Sequence, residues 1–334
     1  MNKILLNPGP TNTLEIVKNT QTEYSDTCHR TDEFQELLSL TKKNILRRFS
    51  LQALSSEWNV SVFGGSGTSA MEALISSLLA STNIIVAGKY GQRAANIMNI
   101  YGVASTQYLA TSIADVNSIE LSQTSPNLYF VENETTTGEK FSLNKITQIF
   151  PNRRLYIDAT SAFGATDYSD YLKHIDAISF CSNKCLQSTP GLGIVIWKKS
   201  LQTYQRNYYL DLRKYSSSVM PFTVPVQSIA ALNCALEESY ISEEEMDRRR
   251  DDLIDDLSAL GIECVNYEPC NSIIGFVHPS KNYEELRDFL KIRGIIIYDG
   301  ISDIEKSFRV ATMSVEFDRY YDFIVRSFND SCVH

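Results

Sequence analysis

The chain has 334 residues, of which 43% are hydrophobic and 21% charged, a composition that excludes a disordered or collagen-like chain. This length favours two domains, or one large α/β domain with a smaller one attached. With 31 Lys and Arg against 40 Asp and Glu, the net charge of -9 lacks the basic field typical of proteins that bind nucleic acids or anionic membranes.

Short apolar runs alternate with amphipathic segments over the first two thirds of the chain. The runs typical of buried strands are at 59–63, 83–87, 127–132, 154–158, 177–181 and 193–197. Apolar residues at helical spacing follow the first run over 68–80 and the second over 92–102. The alternation predicts an α/β fold, with a mainly parallel sheet covered by helices. Ligands of such sheets bind beyond the carboxyl ends of the strands.

The pattern changes in the last third of the chain. A long helical tract over 227–261 has a charge-dense middle, 243–256, which we interpret as the solvated face of a helix linking two domains. Short strand-like and helical segments follow, with a last helix from Glu316. They predict a small α+β domain over 241–334, packed on a large domain over 16–240.

Cysteine and histidine are scattered. The cysteines are Cys28, Cys181, Cys185, Cys234, Cys264, Cys270 and Cys332, and the histidines are His29, His174, His278 and His334. An odd number of cysteines in a chain too long to need disulfides indicates free thiols in a reducing compartment. Cys181 and Cys185 are followed by no second pair at metal-ligand spacing, so we predict no metal site. The start, MNKILLNPGP, lacks a signal-peptide core and no apolar run is long enough to span a membrane, which favours a cytoplasmic protein.

The glycine-rich segment 64–70, GGSGTSA, lies between the first predicted strand and the helix after it. The free N–H groups and the dipole of that helix favour an anion, so the segment predicts a phosphate site. A nucleoside triphosphate loop would need a Gly-Lys-Ser/Thr sequence that is missing here. The dinucleotide fingerprint Gly65-x-Gly67-x-x-Ala70 matches, but no Asp or Glu lies between Glu72 and Asp115 to hold a ribose. A plain strand-to-helix turn is a third interpretation.

Two further residues lie at or just beyond the carboxyl ends of predicted strands. Asp158 ends the run at 154–158, where an Asp is commonly just a helix cap. Lys184 follows the run at 177–181, and 178–196 contain no other charged residue. Exposed positions are the usual place for lysine, but in this setting its pKa would fall and its amine could form a Schiff base. A phosphate site, a carboxylate and an amine are what pyridoxal 5'-phosphate requires.

With these motifs in place, the chain resembles the class V aminotransferases of the fold-type I pyridoxal-phosphate enzymes. The resemblance runs nearly end to end, through blocks at 5–13, 28–34, 64–73, 87–93, 132–138, 157–165, 182–193, 222–225 and 307–313. It implies a large cofactor-binding domain with a mainly parallel sheet and a small C-terminal α+β domain, with the segment 1–15 contributing to the active site. The N-terminal block, ETTTG and NKCLQSTPG are most similar to the transaminases that act on 2-aminoethylphosphonate and pyruvate.

The resemblance also implies roles for individual residues. Lys184 would hold the cofactor's aldehyde and move the proton, and Asp158 would keep its ring nitrogen protonated. The cofactor phosphate would be bound by Ser66, Gly67 and Thr68.

The other implied roles fall on single side chains. Tyr90 would stack on the ring, with simple core packing as the alternative, and Thr136 would approach the ring hydroxyl, with loop support as the alternative. Thr223 would reach the phosphate of a neighbouring subunit in a homodimer, unless it is only a turn residue. Arg309, in an apolar strand, would hold the acidic group of the substrate. Arg30 is a second candidate anion contact, or a surface residue at a helix start.

The expected reaction moves the amino group of 2-aminoethylphosphonate to pyruvate, giving phosphonoacetaldehyde and L-alanine, or runs in reverse. Two departures from the family bear on the substrate: the chain is shorter than expected, and 310–313 read VATM where a glycine-containing run is expected. Another class V transaminase, acting on alanine or serine with glyoxylate or pyruvate, is therefore an alternative. A cysteine desulfurase is disfavoured because no cysteine matches that family's catalytic loop. A nicotinamide-binding protein or a cofactor-free binding module is the alternative from a different class.

Overall fold

A seven-stranded sheet is the centre of the computed structural model, which describes residues 3–54, 56–217 and 219–333. Within these ranges the strands are β1 (Ile4–Leu5), β2 (Trp58–Gly65), β3 (Thr82–Val86), β4 (Ser105–Leu109), β5 (Asn127–Val131), β6 (Asn133–Glu134), β7 (Glu139–Lys140), β8 (Arg154–Asp158), β9 (Ile175–Cys181), β10 (Gly191–Lys198), β11 (Glu263–Cys264), β12 (Ile273–Val277), β13 (Ile295–Ile296) and β14 (Ser307–Ala311). The helices are α1 (Glu15–Glu23), α2 (Asp32–Phe49), α3 (Gly67–Ser76), α4 (Lys89–Ile100), α5 (Ile113–Val116), α6 (Leu143–Ile149), α7 (Leu212–Tyr215), α8 (Val226–Glu238), α9 (Glu243–Ser258), α10 (Tyr283–Ile292) and α11 (Tyr321–Val333).

The strands of the large sheet follow the order β2-β10-β9-β8-β5-β3-β4. Neighbouring strands from β9 to β4 are parallel, and β10 is antiparallel to both β2 and β9. The predicted α/β fold with a mainly parallel sheet is confirmed, and β10 makes the sheet mixed. The carboxyl ends of β8 and β9 lie side by side because Asp158 pairs in register with Ser179.

The edge strand β4 was not predicted from the sequence. It pairs with β3 alone, and most of its residues are exposed or half-buried. An edge strand with little buried surface lacks the apolar run by which the other strands were recognised.

The predicted long helix over 227–261 is wrong, because the structure divides it into α8 and α9. Ser242 begins α9 by accepting the backbone N–H of Glu245 at 3.1 Å, and such a cap restarts a helix rather than continuing one. The charged face of α9 is also not wholly solvated, since Arg249 is 4% exposed and pairs with Asp318. The last helix begins at Tyr321, after a 3-10 turn over Asp318–Tyr320, rather than at Glu316.

Two main hydrophobic clusters divide the molecule. The larger lies between the seven-stranded sheet and its helices, and the smaller lies between α9, α10 and α11 and the antiparallel sheet β11-β12-β14. The start of the chain joins the smaller cluster, because Ile4 pairs with Ile295 in the parallel pair β1-β13. Leu6 then accepts a hydrogen bond from Ala311 N at 2.7 Å. Among the described residues, no helix is both long and apolar enough to cross a membrane.

Candidate active site

The glycine-rich loop turns tightly between β2 and α3. Ser66 is the N-cap of α3, so the first N–H groups of this helix are available to an anion. The Ser69 hydroxyl accepts the N–H of Ser66 at 2.8 Å and donates to the Ser66 carbonyl at 2.7 Å. Because the Ser69 hydroxyl is engaged in these two hydrogen bonds within the loop, Ser66, Gly67 and Thr68 remain as the candidate phosphate-binding residues.

A guanidinium group that the sequence analysis did not single out joins this loop. Arg93 Nη1 donates to Thr68 Oγ1 at 2.9 Å, and the guanidinium carbon lies 4.7 Å from the centre of the Tyr90 ring. Tyr90 and Arg93 are three residues apart in α4 and therefore share a face of that helix. This spacing from Tyr90 was the feature of the sequence that could have identified Arg93 as a site residue. Arg93 adds a positive charge between the predicted ring-stacking residue and the predicted phosphate loop.

Asp158 is fixed by the residue two positions further on. The Asp158 side chain, 1% exposed, accepts the backbone N–H of Thr160 at 2.9 Å and the Thr160 hydroxyl at 2.6 Å, both through Oδ1. Thr160 also lies against the start of α3, because a Cβ built on Gly67 would come within 2.8 Å of Thr160 Cγ2. Only glycine allows this approach. Thr160 thus couples the carboxylate to the phosphate loop, a role visible in the sequence only as a hydroxyl two residues after an Asp.

Lys184 follows β9 and contacts the N-terminal segment. Its ammonium group donates to the carbonyl of Pro8, and a Cβ on Gly9 would fall 2.7 Å from Lys184 Cδ. The φ angle of Gly9 is +122°, so both the backbone conformation and the close approach require glycine. The carboxyl ends of β8 and β9 bring Lys184 and Asp158 to the same edge of the sheet.

Burial shifts the pKa of both groups. Loss of solvation raises the pKa of Asp158 to about 6, although the hydrogen bonds from Thr160 oppose the shift. Loss of solvation lowers the pKa of Lys184, and the positive charge of Arg309 contributes to that lowering. The Lys184 amine therefore loses its proton more readily than an exposed lysine, as a nucleophile or a general base must.

Glu134 links Thr136 to the start of α4. Its buried carboxylate accepts the Thr136 hydroxyl at 2.5 Å and the backbone N–H groups of Tyr90 and Gly91 at 3.2 and 3.1 Å. Thr136 Oγ1 in turn accepts the N–H of Lys89 at 3.1 Å. The structure thus places Thr136 against the helix that carries Tyr90. Glu134 was part of a recognised block but received no role, because nothing local shows that it caps a helix more than forty residues earlier.

The two predicted substrate-binding arginines have different surroundings. Arg309, in β14, is 4% exposed and donates to the carbonyl of Thr135 and to Asp299. Arg30 is exposed and donates through Nη1 to the carbonyl of Met220 at 2.9 Å. Thr223, three residues beyond Met220, is also exposed. The charge of Arg309 contributes to the lowered pKa of Lys184, whereas Arg30 contacts the surface segment that carries Thr223.

All seven cysteines are free thiols in the structure. Across the ranges 3–54, 56–217 and 219–333, no group of three or more His, Cys, Asp and Glu side chains is arranged to hold a metal ion. His334 lies outside the described residues.

The residues present fit pyridoxal phosphate. Asp158 Oδ2 receives no hydrogen bond from the part of the chain that the structure describes, and a protonated ring nitrogen would supply one to this buried carboxylate. The start of α3, with Arg93 beside it, provides the positive field that a phosphate needs. Lys184 supplies an amine of lowered pKa for the aldehyde.

Comparison with known proteins agrees with this geometry. No family model matches the sequence. The chain is 28% identical to a 2-aminoethylphosphonate–pyruvate transaminase of Lysinibacillus sphaericus over 345 residues, which covers 92% of each protein. The fold is similar to that of an aspartate aminotransferase from Thermus thermophilus, with a TM-score of 0.85, 22% identity and 98% of each chain covered. It is also similar to an alanine–glyoxylate aminotransferase from Nostoc sp., with a TM-score of 0.84, 20% identity, and 100% of this chain and 96% of the other covered.

These similarities bear on the alternatives that the sequence left open. The sequence match extends over more than nine tenths of the chain, and the fold match includes both hydrophobic clusters. A nicotinamide-binding protein and a cofactor-free binding module are therefore set aside. By sequence, fold and site together, the chain belongs to the class V, fold-type I, pyridoxal-phosphate-dependent aminotransferases.

Proposed function

We propose that the enzyme transfers the amino group of 2-aminoethylphosphonate to pyruvate, giving phosphonoacetaldehyde and L-alanine, in either direction. The observation that carries this proposal is the buried Arg309 guanidinium, a fixed cation whose charge helps to lower the pKa of Lys184 and which could bind the acid group of a small amine substrate. The 28% identity with the Lysinibacillus sphaericus transaminase supports the phosphonate as the donor.

The bound cofactor supplies an aldehyde that takes up the substrate amine and a ring that accepts the electron pair left when a substrate proton is removed. Lys184 would hold the cofactor through its amine and, when that amine is free, would carry the proton as general base and acid, for which its lowered pKa suits it. Asp158, buried and fixed by Thr160, keeps the ring nitrogen protonated.

The remaining side chains position the cofactor and the substrate. In our proposal Ser66, Gly67 and Thr68 bind the phosphate through the start of α3. Tyr90 stacks on the ring, and Thr136 lies next to the ring hydroxyl, both held by Glu134. Arg309 binds the acid group of each substrate in turn.

We further propose that two copies share their active sites. Thr223 is exposed, and the same segment reaches its own phosphate loop, since Pro225 Cδ would lie 3.2 Å from a Cβ on Gly64. The ring of Tyr208 lies 5.9 Å from that of Phe222 and is 73% exposed, so the surface next to Thr223 includes an aromatic side chain that a second copy would bury. Thr223 and Arg30 would then act on the partner's site.

Our proposal for the domains and the location of the enzyme is the one that the sequence predicts. We infer a large cofactor domain over 16–240, a small domain over 241–334, and an N-terminal segment over 1–15 that completes the active site, as the two hydrophobic clusters and the contact of Pro8 with Lys184 support. A cytoplasmic location is consistent with seven free thiols.

A second class V activity, alanine or serine transamination with glyoxylate or pyruvate, remains the competing candidate. A carboxylate would bind to Arg309 as a phosphonate does, and the fold is as similar to the Nostoc alanine–glyoxylate enzyme as to the Thermus protein. The sequence departure at 310–313 lies in and beyond β14, which carries Arg309.

The test is the visible absorption band of the purified holoenzyme, titrated in turn with 2-aminoethylphosphonate, alanine and serine. We expect the aminophosphonate to bleach the band at the lowest concentration, and Lys184→Ala to remove the band, whereas the exposed control Lys199→Ala keeps it. Bleaching by serine but not by the aminophosphonate would replace the proposed substrate. A band that persists in Lys184→Ala would disprove the role of Lys184.

A further inference from the structure

The guanidinium of Arg309 already holds an acid of its own chain. Arg309 Nε donates to the carbonyl oxygen of Asp299 at 2.8 Å, and Nη2 donates to the Asp299 carboxylate. Nη1 donates to the carbonyl of Thr135, and the Tyr298 ring lies 4.8 Å from the guanidinium carbon. The residue proposed to bind the substrate's acid group is thus paired before any substrate arrives.

Asp299 occupies one complete binding edge of the arginine. An arginine binds a carboxylate or a phosphonate best through two parallel hydrogen bonds, and one of its two usual edges is the pair Nε and Nη2. Both of these atoms donate to Asp299, one to its backbone and one to its side chain. While Asp299 is in place, a substrate anion therefore cannot bind to the edge formed by Nε and Nη2. The negative charge of the Asp299 carboxylate also repels that anion.

The exposure of the two side chains shows which of them can move. The Arg309 side chain is 5% exposed and is fixed within β14, whereas the Asp299 side chain is 56% exposed. The backbone of the Asp299 loop is held in place, because Ile301 N donates to Ser307 Oγ at 2.7 Å and Tyr298 N donates to the Arg309 carbonyl at 3.2 Å. Only the carboxylate of Asp299 is free to turn towards solvent and leave the arginine.

We propose that Asp299 is an affinity-determining residue that competes with the acid group of the substrate for Arg309. Each acid that binds displaces the Asp299 carboxylate from Nη2, and the carboxylate returns when the product leaves. Asp299 thereby lowers the affinity for every anionic ligand of this site. The inference rests on the proposed function, because it takes Arg309 as the partner of the substrate's acid group.

The test compares Asp299→Asn with Asp303→Asn, which removes a charge from an exposed position of the same loop. Asp303 has a φ of +67°, which asparagine also tolerates. Two measurements are made: the KM for 2-aminoethylphosphonate and for pyruvate, and the shift in thermal unfolding of the cofactor-free protein caused by methylphosphonate and by acetate. The second does not depend on activity.

We expect Asp299→Asn to lower both KM values and both ligand dissociation constants by about fivefold, the effect of removing one partly exposed competing charge. Asp303→Asn should leave them unchanged. Equal values in the two variants would overturn the inference. Weaker anion binding in Asp299→Asn would also overturn it, because Asp299 would then hold Arg309 in place for the substrate.

A third variant, Arg309→Gln, separates this inference from the proposed function. If Arg309→Gln loses the response to methylphosphonate while Asp299→Asn behaves like Asp303→Asn, only the role of Asp299 fails. If Arg309→Gln responds to methylphosphonate as the unmodified protein does, Arg309 is not the partner of the acid group and the proposed substrate contact fails as well.

Discussion

The carboxylate of Glu134 accepts the backbone N–H of Gly91 at 3.1 Å, across forty-three residues of chain. The same carboxylate accepts the N–H of Tyr90 and the hydroxyl of Thr136. Through these bonds one buried side chain fixes both the start of α4 and the loop proposed to face the cofactor ring. The N–H groups at the start of a helix have no partners within it, and Glu134 supplies an acceptor from outside.

Replacing Glu134 by glutamine tests this arrangement. Both carboxylate oxygens of Glu134 accept hydrogen bonds. In Glu134→Gln one oxygen becomes an amide nitrogen, which is itself a donor, so the groups that donate to that oxygen lose their acceptor. We expect the free energy of unfolding in urea to fall by about 1–3 kcal/mol, the cost of buried donors left without an acceptor. The exposed Glu120→Gln should change it by less than about 0.5 kcal/mol. Equal stability of the two variants would contradict the capping role.

The buried carboxylate of Asp158 predicts a pH dependence of stability. Its pKa is raised from 3.8 to about 6 in the folded protein. Between these values the folded protein keeps a proton that the unfolded chain has released, so the free energy of unfolding falls as the pH rises through this window. A shift of this size corresponds to about 3 kcal/mol.

Urea unfolding of the cofactor-free protein and of Asp158→Asn, from pH 4 to 7, measures this effect. The stability difference between the two proteins should decline by about 3 kcal/mol up to pH 6 and then level off. With cofactor bound, a protonated ring nitrogen beside Asp158 would lower its pKa, and the decline should disappear. Parallel pH profiles in the cofactor-free proteins would show that Asp158 does not titrate in this range.

The close approach of Gly67 to Thr160 predicts that a single methyl group disturbs the phosphate loop. In Gly67→Ala the new Cβ would lie 2.8 Å from Thr160 Cγ2, and such overpacking costs about 1–3 kcal/mol. We expect the cofactor to bind at least about fivefold more weakly in an absorbance titration of the cofactor-free protein.

The variant Thr160→Ser supplies the control for this prediction. It removes Cγ2 but keeps the hydroxyl that donates to Asp158. Adding it to Gly67→Ala should therefore restore part of the lost affinity, while Thr160→Ser alone changes little. A double variant that binds the cofactor no better than Gly67→Ala would place the cause elsewhere than in the Cγ2 contact, for example at the Thr160 hydroxyl, which would lie 2.9 Å from the same Cβ.

The buried Arg249 predicts an unequal cost for two neighbouring ion pairs of α9. Arg249 donates to Asp318 through Nε at 3.1 Å and through Nη2, whereas the exposed Arg248 pairs with Asp252 at 2.6 Å. Because Asp318→Asn leaves a buried cation without its counter-charge, we expect a loss of about 1–3 kcal/mol in urea unfolding. Asp252→Asn should cost less than about 1 kcal/mol. Equal losses would mean that burial of Arg249 has no energetic consequence.

The sequence predicted the sheet and the positions of Asp158 and Lys184 on it, because both depend on local patterns. A buried strand is an apolar run, and Asp158 and Lys184 could be singled out because one ends such a run and the other lies just beyond one. The direction of β10 could not be predicted, because a buried strand has the same apolar run whether its neighbours are parallel or antiparallel to it. The break between α8 and α9 was missed because helical spacing continues across the four residues that separate them.

The supporting residues of the site were missed for a different reason. Glu134, Asp299 and Arg93 owe their roles to partners brought close by the fold, such as Gly91, Arg309 and Thr68. A polar residue in a loop shows its own chemistry in the sequence but not the group that it will meet. For the same reason, the sequence predicted that Arg309 binds an anion but did not predict its contact with the Asp299 carboxylate.

The pairing of Ile4 with Ile295 has a consequence for the order in which this protein can mature on the ribosome. The segment that contacts Lys184 is made well before its hydrogen-bonding partners in β13 and β14, which lie almost three hundred residues further along the sequence. Pro8 and Gly9 therefore reach their places beside Lys184 late, when β13 and β14 are available. A nascent chain can complete the large sheet while Lys184 still lacks its contacts with Pro8 and Gly9.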